Sequence, residues 1–83
     1  MHELGITRRL LDVVLARAAE AGATRVSVVH LEIGEDSDVA PESLDFYWPD
    51  VARATAAEGA RLMFTPPAGD DPLACRVVAI DAD

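Results

Sequence analysis

Lysine is absent from this sequence, cysteine occurs once, and aromatic residues make up only 5% of it. All seven basic residues are arginine, and 15 Asp and Glu outweigh them to give a net charge of -8. So acidic a chain repels phosphate backbones and anionic membrane surfaces, which argues against nucleic-acid and membrane partners. It attracts cations, although solubility is the plainer reading of the acidity. With Cys75 alone, no intrachain disulfide and no four-thiolate metal cage can form, which suits a reducing compartment. No segment has the length of a membrane span. The N-terminus lacks the basic stretch and unbroken apolar run of a signal peptide. The expected location is therefore the cytoplasm. Met1 is expected to be kept, because His2 is not the small second residue that favours its removal. No nucleophile–base pair, phosphate loop or cofactor motif is present, so an enzyme is not expected.

What is there is a small apolar inventory, 51% of the 83 residues, which suffices for one core and one domain. With so few aromatics, Leu, Val, Ile and Ala must fill that core. Ile6, Leu10, Val13, Val14, Ala18 and Ala21 fall at helical spacing and predict a helix over 3–21, stopped by Gly22. Residues 25–33 are rich in β-branched side chains and predict a strand. Val29, Leu31 and Ile33 would share one face, and Val28, His30 and Glu32 the other. After Gly34 and a polar loop, Pro41 and Glu42 suit the first turn of a second helix. Leu44, Tyr47, Trp48 and Val51 would form its buried side, with a kink or break at Pro49. Thr55 and Glu58 have the spacing of a capping box, although only a short turn has room to follow.

Two strands are predicted over 61–65 and 74–81, joined by the turn from Pro66 to Pro72 and most simply paired as an antiparallel hairpin. The first strand, second helix and second strand would make a right-handed crossover. The expected fold is α+β, in the order α-β-α-β-β, with two helices on a small three-stranded mixed sheet. The single domain spans residues 1–83.

The chemistry concentrates at Met1-His2-Glu3. A free α-amine, the backbone nitrogen of residue 2 and the His2 imidazole can close adjoining chelate rings on one ion, and Glu3 can add an oxygen. Nitrogen-rich ligation of this kind favours Ni(II) or Cu(II). Amine and imidazole must shed protons to bind, so affinity should fall between about pH 8 and about pH 6. A histidine after the initiator Met is, by itself, usually a solvated terminal residue. His30 reads as a half-exposed strand residue, Tyr47 and Trp48 as packing residues, and Cys75 as a small, half-buried strand residue.

The segment from Met1 to Thr7, MHELGIT, resembles the opening of the HypA family, the nickel metallochaperones of nickel–iron hydrogenase maturation. Later positions agree in register: Ile33, Gly34 and Glu35; Ser37, Pro41, Glu42, Leu44 and Phe46; Thr55 with Glu58, Gly59 and Ala60; and Arg76–Ile80. The resemblance implies that the Met1 amine, nearby backbone nitrogens and His2 hold nickel, with Glu3 as ligand or close support. It implies as partners a maturation GTPase or a hydrogenase large subunit, and a homo-oligomer is compatible with it. The family carries a zinc module, built on two Cys-x-x-Cys pairs, between its last two strands. Here residues 66–73 stand in its place, so no structural zinc is expected. The family also often has an acidic residue near position 40, where this chain has Ala40. Asp38 is the nearest substitute and Asp36 the next, a solvated loop carboxylate being the plainer role for either. The competing reading is an interaction module that kept the fold and lost metal delivery, binding a hydrogenase subunit or maturation factor.

Overall fold

The helical apolar spacing near the N-terminus produces α1, His2–Glu20, in the computed structural model, which describes residues 2–83. Leu10, Leu11, Val14 and Ala18 face the core. Thr7 is buried with them, and its hydroxyl donates to the Glu3 carbonyl at 2.7 Å, so the buried oxygen is satisfied. Val13 and Ala21, expected on the stripe, are exposed instead. Thr7 and Leu11, which were not expected on the stripe, are buried beside Leu10, Val14 and Ala18, because that edge of the helix is the one turned toward α2 and the sheet. Gly22 ends α1 at φ 67°. Its N–H bonds the Ala19 carbonyl, and the Ala23 N–H bonds that of Ala18. This pair of reversed bonds satisfies the last carbonyls and requires a left-handed residue between them, which glycine adopts without strain.

The β-branched run forms β1, Val26–Ile33, and the remaining elements are α2 (Pro41–Val51), β2 (Arg61–Thr65) and β3 (Cys75–Ala82). The order α-β-α-β-β and the three-stranded mixed sheet are as expected. The hairpin is not. The strand order is β2-β1-β3, so β1 lies between the two strands predicted to pair. It runs parallel to β2, with Val29 opposite Leu62 and Leu31 opposite Phe64. It runs antiparallel to β3, with Val29 opposite Ile80 and Leu31 opposite Val77. The physical reason is burial. β1 is the most deeply buried strand, with Val26, Val29 and Leu31 at most 1% exposed, and the central place alone gives it a partner on both edges. Residues 66–74 then need only carry the chain across two strand spacings, roughly 10 Å.

Two register shifts align the faces. Ser27 is an extra residue in β1 between Val26 and Val28, and Val78 one in β3 between Val77 and Ala79. Each slip of one residue reverses the faces beyond it. Val26 therefore joins Val29 and Leu31 in the core, and Val77 and Ile80 both pack toward it although they do not share strict alternation.

In α2, Leu44 and Trp48 are buried, whereas Tyr47 and Val51 are half-buried. The helix continues through Pro49 to Val51 rather than breaking there. The ring removes one donor near the C-terminal end, and Ala52 resumes bonding to the Trp48 carbonyl at 2.8 Å. Trp48 Nε1 is buried without a partner among the described residues. Thr55 does not open a capping box. Its hydroxyl donates to the Ala52 carbonyl and accepts the Ala57 N–H, stitching a turn with no helix behind it.

Gly34 joins β1 to the turn that replaces the predicted hairpin. It is buried, and a methyl group there would overlap the backbone carbonyl oxygens of Asp71 and Pro72. Its N–H bonds the Ala74 carbonyl at 2.8 Å, and the Asp36 N–H bonds that of Pro72 at 2.7 Å. Gly34→Ala must push the turn away and stretch these bonds, so it should cost about 1–3 kcal/mol, the usual range for overpacking a tight contact. Urea unfolding followed by circular dichroism should show a lower midpoint at unchanged slope.

Candidate metal centre

The loop that leaves β1 at Gly34 returns Asp38 to the start of α1. Ser37 fixes its shape: the hydroxyl donates to the Val39 carbonyl at 3.0 Å and accepts the Val39 N–H at 3.2 Å. Val39 is 1% exposed and anchors the loop in the core. Asp38, beside that anchor, is held facing solvent.

His2 is the first described residue and opens α1. Its Nε2 lies 3.7 Å from Asp38 Oδ2, and both side chains are largely exposed. This distance is an ion-pair approach, too long for a hydrogen bond. The fold therefore brings together two of the four residues that sequence analysis singled out. Met1 lies outside the described residues. Glu3 is half-buried at the next position, and its carbonyl is engaged by Thr7. Among the described residues no three His, Cys, Asp or Glu side chains converge on a common metal position. His2 and Asp38 thus form a pair, with no third such side chain converging on them among the described residues.

The other candidates separate clearly. Asp36 is exposed in the same loop and makes no ion pair among the described residues. His30 lies on the open sheet face and meets Asp81 Oδ2 at 3.2 Å. Its neighbour Glu32 pairs with Arg76 at 3.0 Å. Asp81 as the partner of His30 was not visible in the sequence, since the β1–β3 register and its two bulges decide which residues face each other. Cys75 is half-buried, as expected for a small strand residue. Burial raises the pKa of its thiol; a hydrogen bond with Ser37 acts the other way, and the Asp38 charge adds to the rise.

The helix end shapes the electrostatics. The first backbone N–H groups of α1 have no intrahelical acceptor. They give the start of the helix a partial positive charge, which favours Glu3 and Asp38 nearby and opposes a bare cation. No helix among the described residues is long and apolar enough to cross a membrane.

Residues 1–76 match the profile of a family described as "Hydrogenase/urease nickel incorporation, metallochaperone, hypA". The hydrogenase maturation factor HypA of Chlorobium limicola is 47% identical over 62 residues, covering 75% of this chain and 53% of that protein. The hydrogenase maturation factor HypA of Pelodictyon phaeoclathratiforme is 39% identical over 69 residues, covering 83% and 59%. That of Pectobacterium atrosepticum is 44% identical over 62 residues, covering 75% and 53%. The chain thus spans about half the length of the curated relatives it matches.

The environment of Cys75 makes a chemical prediction. With its pKa raised, the folded protein holds the protonated thiol, and the thiolate is the reactive form. Iodoacetamide should modify folded protein more slowly than urea-unfolded protein at mildly alkaline pH, and the rate should rise at higher pH in the folded state. Because the unfolded thiol ionises first, stability from this group is present at neutral pH and declines as the pH rises past the unfolded value.

Proposed function

This chain belongs to the HypA family of nickel-incorporation metallochaperones, and we propose that it binds Ni(II) as cargo through its own N-terminus. The ligands in this reading are the Met1 amine, the backbone nitrogen of His2 and the His2 imidazole, with Glu3 and Asp38 supplying carboxylate support. The observation that carries it is the approach of Asp38 to His2 at the opening of α1, within the segment that matches the family. A loop anchored by Val39 and Ser37 holds a carboxylate beside the one residue whose position suits a terminal chelate.

The helix start helps and hinders. The backbone nitrogen of His2 belongs to the first turn, so surrendering its proton to a metal breaks no helical hydrogen bond. The positive end of the helix opposes the ion. An amide nitrogen that loses its proton, together with the carboxylates of Glu3 and Asp38, offsets that opposition. Amide and imidazole nitrogens in one plane favour Ni(II) or Cu(II) over ions that prefer oxygen. The bound ion would pass to a hydrogenase maturation GTPase or to a hydrogenase large subunit.

In this reading residues 1–83 act as one nickel domain, in which the 66–73 turn takes the place of the zinc module. A single cysteine does not make a four-thiolate zinc site. The chain acts by carrying a metal and not by catalysis. The second reading, an interaction module without metal delivery, draws on the same short turn, since zinc-dependent contacts would be missing.

Calorimetric titration of Ni(II) into untagged protein should show one saturable site that weakens as the pH falls from about 8 to about 6, as amine and imidazole take up protons. His2→Ala should remove binding, as should an N-terminal extension that blocks the amine. Asp38→Asn should weaken it by about tenfold, the lower end for loss of a supporting carboxylate. Native N-terminus with no nickel binding at neutral pH would leave the interaction module as the reading, with partner capture unchanged by His2→Ala.

A further inference from the structure

A second recessed site lies where the parallel strands β1 and β2 end, and none of its lining residues is a proposed nickel ligand. We infer that this pocket docks an arginine side chain presented by a partner protein. Its volume is about 460 Å³, within the range of roughly 300–1,000 Å³ typical of binding pockets. In open sheets with parallel strands, ligands bind in the crevice beyond the carboxyl ends of the strands. The connection 66–74 leaves β2 at this edge and builds the pocket in crossing to β3.

The lining has two parts. Half-buried Ile33 and Phe64 contribute from the strand ends, with proline rings from the turn beside them. Glu35, Asp70 and Asp71 are exposed at the same pocket and make no ion pair among the described residues. No basic residue lines it. Asp71 gives one oxygen to the Leu73 N–H at 3.0 Å, which leaves its other oxygen available. The frame is fixed by the Gly34 contact and by the bond from the Asp70 N–H to the Pro67 carbonyl.

Charge complementarity selects the occupant. Three unpaired carboxylates repel anions. A divalent ion is not matched, because no three acidic, His or Cys side chains among the described residues converge on one point. What fits is a cation with a flat, weakly hydrated head and an apolar stem. Guanidinium stacks on ring faces and accepts bidentate carboxylates, whereas ammonium is a compact, strongly hydrated charge. The arginine stem would lie along Ile33, Phe64 and the prolines, with its head among Glu35, Asp70 and Asp71.

The test is a nuclear magnetic resonance titration of isotope-labelled full chain with acetyl-Gly-Arg-Gly-amide. The same peptide with citrulline in place of arginine is the neutral control, and a lysine peptide is the point-charge control. Saturable shifts should appear at the amides of Gly34, Glu35, Phe64, Asp70 and Asp71, and weaken in high salt. The citrulline peptide should bind at least fivefold more weakly, and the lysine peptide more weakly than arginine. Asp70→Asn, Asp71→Asn should weaken the arginine peptide at least fivefold while leaving nickel affinity unchanged. Asn suits position 70, where the backbone has φ 56°, and keeps an acceptor at 71. Should the double variant unfold, Asp70→Asn alone must show the same direction. Absent or non-saturable shifts, equal binding of citrulline, or shifts mapping to other faces would overturn the inference. Loss of nickel binding in otherwise unperturbed protein would sink the metal reading and leave this one standing.

Discussion

The central position of β1 is the constraint from which the remaining structure follows. Val26, Val29 and Leu31 are nearly inaccessible because β2 and β3 flank the strand while α1 and α2 complete the core. A strand at the edge would leave backbone donors and acceptors unpaired along one side. In the centre, β1 hands the chain at Gly34 to a loop that must turn under the 66–74 connection. Only a residue without a side chain fits there. The same loop then carries Asp38 back to the opening of α1. Core, crossing turn and candidate metal centre are therefore one arrangement, and Gly34 is where they meet.

Two acidic regions emerge with different character. At the start of α1, carboxylates face the positive end of a helix and a terminal imidazole, where nitrogen donors define the proposed nickel chemistry. At the strand ends, carboxylates lie beside Ile33, Phe64 and prolines, with no nitrogen-bearing side chain in the lining. A net charge of -8 is thus not one uniform field. The groups beside each carboxylate set which of the two proposed roles, metal support or reception of a cationic side chain, it is suited to. The open sheet face is different again, since Glu32 and Asp81 are already paired with Arg76 and His30.

Helix α1 and its stop were legible because 3.6-residue periodicity and a left-handed glycine are local signals. Strand β1 was legible for the same reason. Which edge of the α1 stripe is buried was not, since Leu11 and Val13 are equally apolar and only the packed partner distinguishes them. The β2–β3 hairpin was the natural inference from proximity in sequence. It failed because β1, the most deeply buried strand, takes the central place between them. At the candidate site, His2 and Asp38 were identifiable from the motif and loop, but their 3.7 Å approach depends on the path after Gly34. The pocket at the strand ends had no sequence signature, because its lining comes from β1, β2, the start of α2 and the crossing turn.

The sequence by itself determined the element types and their order, the α+β class and the absence of an intrachain disulfide, and it marked the N-terminus as the candidate metal-binding segment. These follow from local periodicity, backbone preference and residue inventory. Only the tertiary structure decided the strand order β2-β1-β3, the bulges at Ser27 and Val78, the pairing of His30 with Asp81, and the meeting of His2 with Asp38. Those depend on contacts between residues far apart in the chain, and their free energy exists only once the apolar faces are buried together.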